Sequence, residues 1–463
     1  MTDVTRRSFL QAAIAASQMR ASSAPKQTRL LLDSRIIERK ERVRLLPGNV
    51  EKDQRNPLFG EDKPWEARFD NMDACILYDR EDQLYKLWYS PFLIDERTTS
   101  TPVEKRARQV YITTKPDRRE MGVCYATSED GLVWKKPELG LVTFNGSEKN
   151  NILVRDQHDA GVFKDLHETN PARRYKMFLK AKQMGVRFSP DGIRWSDITL
   201  CPEINAAGDT QNNALWVPEL NTYVGITRLW QDKVRIVGRT ESPDFVHWTP
   251  ATEVMRGTDR RHQTYSMPIF PYAGVYLGFI TLFHTDYDTV DCELVWSPDT
   301  LKWERLCPGT PFITRSSPGA CDFGCIYPAV APVVGEREIR IYYLGSNGLH
   351  TSWRQGSLCL AHLRPDGFAG FVPEASAIGL VRTILLSCAG KDLIVNAYVP
   401  NGSMRVTVFS ANGRSLARAV LNGGGINQPV IWQHGKDLSV LIDKPVQLEF
   451  EWNQGTLYSF RFA

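Results

Sequence analysis

Aspartates recur at the start of strand-like segments along the whole chain. Asp73 lies six residues before Asp79, and Asp159 lies six residues before Asp165, so the two segments share a register. Carboxylates that crowd together push one another's pKa values apart, so that one stays protonated as an acid while another stays charged as a base or nucleophile. Cleavage of a glycosidic bond requires such a combination. The candidate catalytic carboxylates are Asp70, Asp73, Asp159, Asp209 and Asp322.

Neutral polar residues accompany these aspartates. An aspartate at the start of a strand is often only a turn or capping residue, but turn formation does not explain the neighbouring amides and histidines. These side chains suit the donors and acceptors of sugar hydroxyl groups. Lone histidines on β loops are more often hydrogen-bonded polar residues than metal ligands, so no metal site is predicted. The candidate substrate-binding residues are Asn71, His158, Gln211, Asn212, Arg228, His262, Gln263 and Tyr265.

A repeated turn organises the elements that must position these residues. The pattern Ser-x-Asp-x-x-x-Trp occurs at residues 128–134, 189–195, 242–248 and 297–303. Its aspartate and the residue that follows favour a tight turn between strands, and its tryptophan packs on the sheet face. The tryptophans fall roughly 50–60 residues apart, and strand-like units with a period of that size are typical of propeller blades.

Five such units predict an all-β fold with a five-bladed β-propeller over residues 25–376. The units begin near Phe69, His158, Asp209, His262 and Asp322. The innermost strands of propeller blades line a central channel, so the polar residues that begin each unit are expected to converge at its mouth.

The sequence pattern of the chain changes after residue 376. Apolar and polar residues alternate with period two over residues 393–399, 404–409, 446–452 and 457–462. Turns are expected at residues 401–402, 412–413 and 423–425, which contain Asn-Gly and Gly-Gly pairs. Residues 377–463 are therefore predicted to form a C-terminal β-sandwich.

Composition excludes several classes of function. The 463 residues carry a formal net charge of only +4, and no dense Lys/Arg stripe interleaved with aromatic residues follows the N-terminus, so nucleic acid is not an expected partner. The nine cysteines form no C-x-x-C pair, which disfavours a structural zinc site. No later apolar run has the length of a membrane span. The expected partner is a carbohydrate substrate, and no cofactor is predicted.

The N-terminus predicts export. Paired arginines, Arg6 and Arg7, precede Phe9-Leu10, a short mildly apolar run and small residues near Ala24. This order is typical of a twin-arginine signal peptide over residues 1–24, and it predicts a periplasmic or secreted protein. The alternative interpretation is a basic arm without a targeting role.

Several short segments together resemble a known group of proteins. They lie at residues 65–72, 125–128, 134–140, 150–152, 209–212, 239–245 and 457–460. With these segments the chain resembles bacterial exported proteins similar to glycosyl hydrolase family 32, relatives of invertase-like and arabinanase-like five-bladed propellers.

The resemblance implies a three-carboxylate site. It has an aspartate in the first blade, an aspartate in the second and a glutamate acid in the third. Asp159 matches the second position, without the flanking Arg and Pro of the family motif, and either Asp70 or Asp73 matches the first. Asp209-Thr210-Gln211-Asn212 stands where the Glu-Cys motif is expected, which disfavours invertase-type fructosidase activity.

The sequence thus predicts an exported hydrolase that cleaves a glycosidic bond in a polysaccharide or oligosaccharide. Asp159 would bind hydroxyl groups and stabilise the transition state, Asp70 or Asp73 would act as base or nucleophile, and Asp209 or Asp322 would supply the acid. A non-catalytic glycan-binding propeller is the alternative from another class, and the absent third-blade glutamate favours it. A polysaccharide lyase is the third possibility.

Overall fold

A computed structural model describes residues 28–106, 109–111, 117–375, 377–435 and 437–463. The predicted signal peptide, residues 1–24, lies outside the described residues. The chain is an all-β protein with a nearly closed, barrel-like sheet. It divides into two compact units, of which one comprises Leu45–Gly370 and the other comprises the described residues up to Arg44 together with Phe371–Ala463. The predicted division into domains stays a prediction.

Three sheets of the larger unit each consist of four antiparallel strands in sequence order. The first sheet contains Arg68–Asp79, Leu84–Asp95, Arg119–Ser128 and Ile152–Arg155. The second contains His158–Lys164, Tyr175–Lys180, Met184–Ser189 and Thr199–Leu200. The third contains Asn213–Val217, Thr222–Gln231, Val234–Ser242 and Thr252–Arg256.

The remaining strands of this unit form one eleven-stranded sheet with two parts. We call these parts the fourth and fifth groups, and a single parallel pair, Val290 with Cys325, joins them. The fourth group contains His262–Ser266, Ile269–Tyr272, Val275–His284, Thr289–Ser297 and Glu304–Leu306. The fifth group contains Cys325–Pro328, Val333–Val334, Ile339–Ser346 and Gly356–Leu363, completed by Glu51–Lys52 and Phe59–Gly60 from the start of the unit.

Hydrophobic cores lie between successive sheets. Trp88 and Met177 belong to the core between the first and second sheets, and Phe178 and Trp248 belong to the next one. Another core joins the third sheet to the fourth group, and a larger one joins the first sheet to both groups. Each sheet therefore buries both of its faces against neighbours, which an isolated four-stranded sheet cannot do.

The repeated turn follows the third strand of each of the first three sheets and strand Thr289–Ser297 of the fourth group. In the second sheet Ser189 is the last strand residue, and its hydroxyl accepts a hydrogen bond of 2.8 Å from the Gly192 amide. Oδ1 of Asp191 accepts from the amides of Ile193 and Arg194, each at 2.8 Å. Serine and aspartate are needed because their side chains are short, so that the side-chain oxygens can replace the backbone acceptors that the turn removes.

We expect Gly192→Ala to destabilise the protein more than Gly140→Ala. Both glycines have positive φ, +80° and +66°, which costs an alanine about 1–2 kcal/mol. An added Cβ at residue 192 would lie 2.7 Å from Cζ2 of Trp88, whereas one at residue 140 would meet nothing within 4 Å. Gly192→Ala should therefore lower the free energy of unfolding by about 1–3 kcal/mol more than Gly140→Ala does. Equal shifts of the two urea unfolding midpoints would contradict this packing argument.

The smaller unit contains the C-terminal strands and the first strands of the described chain. Its strands are Arg29–Leu30, Ile37–Glu41, Gly379–Thr383, Leu386–Ser387, Leu393–Ser410, Ser415–Pro429, Pro445–Trp452 and Thr456–Phe462, and strands Val43–Pro47 and Ala369–Pro373 contain the unit boundaries. Residues 393–399 and 404–409 belong to one long strand, because the expected turn at 401–402 is a shift of register within it. Residues 423–425 likewise lie inside a strand, and only the turn at 412–413 is a hairpin turn.

Helices are few and short in the described part of the chain. Its α-helices are Glu96–Ser100 and Val103–Arg106, and its 3-10 helices are Ser34–Ile36, Pro171–Arg173, Pro202–Ile204, Gln433–Gly435 and Ser439–Leu441. Among the residues that the structure describes, no helix has the length and apolar character that crossing a bilayer requires.

Candidate active site

Polar side chains from all five strand groups meet where the first strand of each group begins. Nδ2 of Asn71 donates to the Tyr265 hydroxyl at 3.1 Å, and the Arg354 guanidinium donates to Asp70 at 2.6 Å. The Thr210 hydroxyl donates to the carbonyl of Tyr265 at 2.9 Å. We call the set the central cluster: Arg68, Asp70, Asn71, Asp73, His158, Asp159, Asp209, Gln211, Arg228, Arg235, Tyr265, Tyr327, His350 and Arg354.

Two aspartates of the cluster lie at strained and equivalent positions. Asp73 and Asp159 have φ values of +44° and +52°, and each lies where the register of the first strand shifts against the second. Such bulges re-aim a side chain, and left-handed backbone in a residue other than glycine persists only where the surrounding structure holds it. Only 3% of each residue is exposed. In both sheets a bulge in the first strand therefore buries a carboxyl group at the equivalent position.

The carboxyl groups of Asp73 and Asp159 are coupled. Burial raises the pKa of Asp73, and the charge of Asp159 raises it further. Burial also raises the pKa of Asp159, to about 8, although a hydrogen bond with Asp73 opposes the shift. Two buried carboxylates in contact cannot both ionise at neutral pH. The pair therefore keeps at least one proton and can donate it.

The pKa of Asp70 is shifted in the opposite direction, downwards. Burial alone would raise its pKa, but the charges of Arg354 and Arg68 outweigh burial and hold it well below its usual range. Its side chain is 28% exposed, so the carboxylate is accessible as well as charged. A protonated carboxyl pair and an ionised carboxylate thus share one site, and this is the combination that general acid and base chemistry requires.

His158 extends the carboxyl pair towards solvent. Its Nδ1 lies 2.8 Å from Oδ2 of Asp159, with angles that are not those of a hydrogen bond. Burial lowers the pKa of His158, so the ring is neutral at neutral pH. A neutral imidazole beside a protonated carboxyl group can take up a proton at one ring nitrogen and release one from the other, so that its charge is unchanged.

The loop before the third sheet contains Asn212, whose amide is hydrogen-bonded at both ends, and Gln211, whose amide is not. Asn212 is fully buried; its Nδ2 donates to the carbonyls of Asp159 and Gly208 at 2.9 and 2.8 Å, and its Oδ1 accepts from Thr227 at 2.7 Å. These contacts tie the loop to the second sheet and occupy both ends of the amide. Gln211, by contrast, donates to the Ala74 carbonyl at 3.3 Å, and its Oε1 has no partner among the residues that the structure describes.

Asp209 and Arg228 form the outer side of the cluster. The Asp209 side chain is 75% exposed and lies 3.5 Å from Nη1 of Arg228, which is buried. Arg228 also donates to the Tyr265 carbonyl, and its guanidinium lies 4.5 Å from the centre of the Tyr265 ring.

Three of the predicted site residues make their contacts elsewhere. Asp322 is bound by Lys52 and accepts from the Tyr343 hydroxyl at 2.9 Å. His262 contacts Asp259 at 3.0 Å on the surface. Gln263 accepts from Nη1 of Arg235 at 3.1 Å, so it supports a residue of the cluster from behind. The structure brings the other ten predicted residues together, Asn212 through its contact with Asp159.

Residues that the sequence analysis did not select complete the cluster. His350 and Arg354 come from the connection between strands Ile339–Ser346 and Gly356–Leu363, and Nη1 of Arg354 donates to the Tyr327 hydroxyl at 3.2 Å. Burial, assisted by the charge of Arg354, lowers the pKa of His350 to about 3. Arg68 stands two residues before Asp70, and that spacing on one strand face was the only signal available for it.

Within the described ranges no group of three or more His, Cys, Asp or Glu residues is arranged to hold a metal ion. No family model matches the chain, and no curated protein matches it.

Several solved structures match part of the chain at low identity. An N-acetylgalactosamine deacetylase from F. plautii matches with a TM-score of 0.47 at 14% identity, over 70% of this chain and 96% of that chain. A glycosyl hydrolase from Bacteroides ovatus matches with a TM-score of 0.45 at 13% identity, over 68% and 94%. An α-L-arabinofuranosidase from Podospora anserina matches with a TM-score of 0.44 at 12% identity, over 66% and 95%. At these scores the likeness carries no inference about activity, so the function must be argued from the site itself.

Proposed function

We propose that the protein is a glycoside hydrolase built on a five-bladed β-propeller. The four-stranded sheets and the fourth and fifth groups would be its blades, the strands that close the fifth group would complete the ring, and the smaller unit would be the predicted sandwich. A relation to glycosyl hydrolase family 32 is part of this proposal. The observation that carries the activity is the buried Asp73–Asp159 pair, which keeps a proton beside the ionised Asp70.

These carboxyl groups would divide the work of cleavage. The pair would give its proton to the glycosidic oxygen as the bond to the leaving sugar breaks, and the neutral His158 would help to reload it. Asp70 would stabilise the positive charge that develops on the sugar ring and accept a proton from the water molecule whose oxygen bonds to the anomeric carbon. Asp322, bound by Lys52 and Tyr343, does not suit the role of acid that the sequence suggested, and the exposed Asp209 would contact substrate at the rim.

A substrate screen tests the proposal. The purified protein is incubated with a panel of polysaccharides and aryl glycosides, and reducing ends, released phenol and ultraviolet absorbance are measured. We expect hydrolysis by the wild type and none by Asp159→Asn. Binding without any product would select the non-catalytic glycan-binding alternative. That alternative is favoured by the third sheet, because the only carboxylate of the central cluster that comes from this sheet and the loop before it is the largely exposed Asp209. An unsaturated product would select the lyase.

The rate should also show an alkaline limit set by the carboxyl pair. Because the acid must carry its proton, and burial raises the pKa of Asp159 to about 8, kcat/KM should hold up to that region and then fall by about tenfold per pH unit. Activity is thus present below the raised pKa and is lost above it. The measurement is kcat/KM from pH 5 to 10 on an aryl glycoside. A rate that already falls between pH 5 and 6 would contradict the assignment.

We also propose that the protein is exported through the twin-arginine route and acts in the periplasm or outside the cell. The paired arginines at residues 6 and 7 support this. Replacing both with lysine should leave the protein in the cytoplasm in cell fractionation. Unchanged export of that variant would refute the route.

A further inference from the structure

The central cluster carries more positive charge than its carboxylates neutralise. It contains four arginines, Arg68, Arg228, Arg235 and Arg354, and four aspartates, Asp70, Asp73, Asp159 and Asp209. The carboxyl pair keeps at least one proton, because burial raises both of its pKa values, and His350 is neutral because its pKa is lowered to about 3. At neutral pH the net charge of these groups is therefore at least +1.

Arg235 has no carboxylate partner among the described residues. Its Nη1 donates to Gln263 at 3.1 Å, and its Nε is buried without a partner. The guanidinium lies 4.7 Å from the ring centre of Trp230 and 5.3 Å from that of Phe283. Burial, and then the charge of Arg228, lowers the pKa of Arg235. A partly buried guanidinium that no described carboxylate pairs with is costly unless an anion completes it.

Arg228 is also only partly neutralised. Its single ion pair with a described residue is with the exposed Asp209 at 3.5 Å, and its buried Nε has no partner in the described part of the chain. Two neighbouring guanidiniums with unused donors suit the planar oxygens of a carboxylate or the oxygens of a sulfate or phosphate ester. Trp230, which is 47% exposed, offers an accessible aromatic face beside them.

We propose that the substrate is an acidic glycan. Its anionic substituent binds between Arg228 and Arg235, and the sugar ring that carries it packs on Trp230. This inference rests on the proposed function, because it places the acidic sugar next to the carboxyl pair that would cleave the chain. The shared chemistry is an oxyanion on a sugar, which either a uronic acid or an ester of sulfate or phosphate provides.

Binding to matched pairs of glycans tests this without requiring turnover. The full chain is titrated calorimetrically with polygalacturonate and its methyl ester, with a sulfated galactan and its desulfated form, and with a phosphorylated mannan and its dephosphorylated form. We expect the acidic member of at least one pair to bind at least tenfold more tightly than its neutral form, and binding to weaken as salt rises. The preferred pair identifies the anion.

An arginine variant and a matched control make the test specific. Arg235→Met keeps the length of the side chain and should weaken binding of the acidic glycan by about 10- to 100-fold. Arg174→Met should leave it unchanged, since Arg174 is similarly half-buried but pairs with Glu81 at the opposite end of the second sheet. Equal binding of both members of every pair, no binding of any acidic glycan, or an unaffected Arg235→Met would overturn the inference. An acidic glycan that is bound but never cleaved would instead refute the proposed hydrolysis alone.

Discussion

Replacing Asp73 with asparagine should abolish turnover and make the folded protein more resistant to unfolding at neutral pH. Removing the proton donor of a general-acid step costs about 10²–10⁴-fold in rate. The free energy of unfolding should instead increase. The wild-type protein carries a carboxyl group at residue 73 whose pKa is raised by burial and by the neighbouring Asp159. Between the unfolded pKa of about 3.9 and that raised value, the folded state holds the proton more tightly, so stability falls as pH rises. Asparagine does not ionise, and it tolerates the positive φ at this position better than most residues.

A second aspartate on the same strand is the matched control. Asp79 is as buried as Asp73, but hydrogen bonds from Lys164, Tyr175 and Lys86 outweigh burial and hold its pKa below the usual range. Asp79→Asn should therefore lower stability at neutral pH by about 2–3 kcal/mol and leave the rate per folded molecule unchanged.

Both rates and both melting temperatures are measured at pH 7. Opposite signs of the two stability changes, with turnover lost only in Asp73→Asn, would separate the catalytic carboxyl from the structural one. Undiminished turnover in Asp73→Asn would remove the carboxyl pair from the mechanism.

The order of the strands could be predicted from the sequence because local chemistry dictates it. Ser189, Asp191 and Gly192 close the turn with their own side chains and backbone, so the spacing of the repeat alone locates the end of a third strand. The shared register of Asp73 and Asp159 was visible for the same reason. Each precedes by six residues an aspartate that binds a tyrosine of the next sheet, Asp79 with Tyr175 and Asp165 with Tyr223.

The partners of the site could not be predicted, since they come from distant segments. Asp322 begins its unit as the other aspartates do, but Lys52, from a strand 270 residues earlier, binds its carboxylate. His350 and Arg354 lie in a connection outside the repeat. Which carboxylate is ionised and which is protonated depends on such distant residues, Arg354 among them. The roles of the aspartates therefore required the structure.

Replacing Arg354 with methionine should destabilise the protein strongly. The Arg354 side chain is fully buried and donates to Asp70 at 2.6 Å and to Tyr327 at 3.2 Å. Removing one partner of a buried ion pair costs about 3–5 kcal/mol, because the remaining charge loses its compensation. Arg68, which also donates to this carboxylate oxygen at 3.4 Å, would compensate only part of the loss. Arg405→Met, which breaks an exposed pair with Glu451 at 3.0 Å, should have little effect.

The double variant Arg354→Met with Asp70→Asn distinguishes charge from packing. If the cost of Arg354→Met arises from the stranded charge of Asp70, neutralising that aspartate should recover most of the lost stability, and the two changes should be strongly non-additive in urea unfolding. If Arg354 acts mainly by filling space beneath Tyr327, the double variant should be no more stable than the single one. Only the first outcome agrees with a site in which Arg354 is present to keep Asp70 ionised next to a carboxyl pair that keeps its proton.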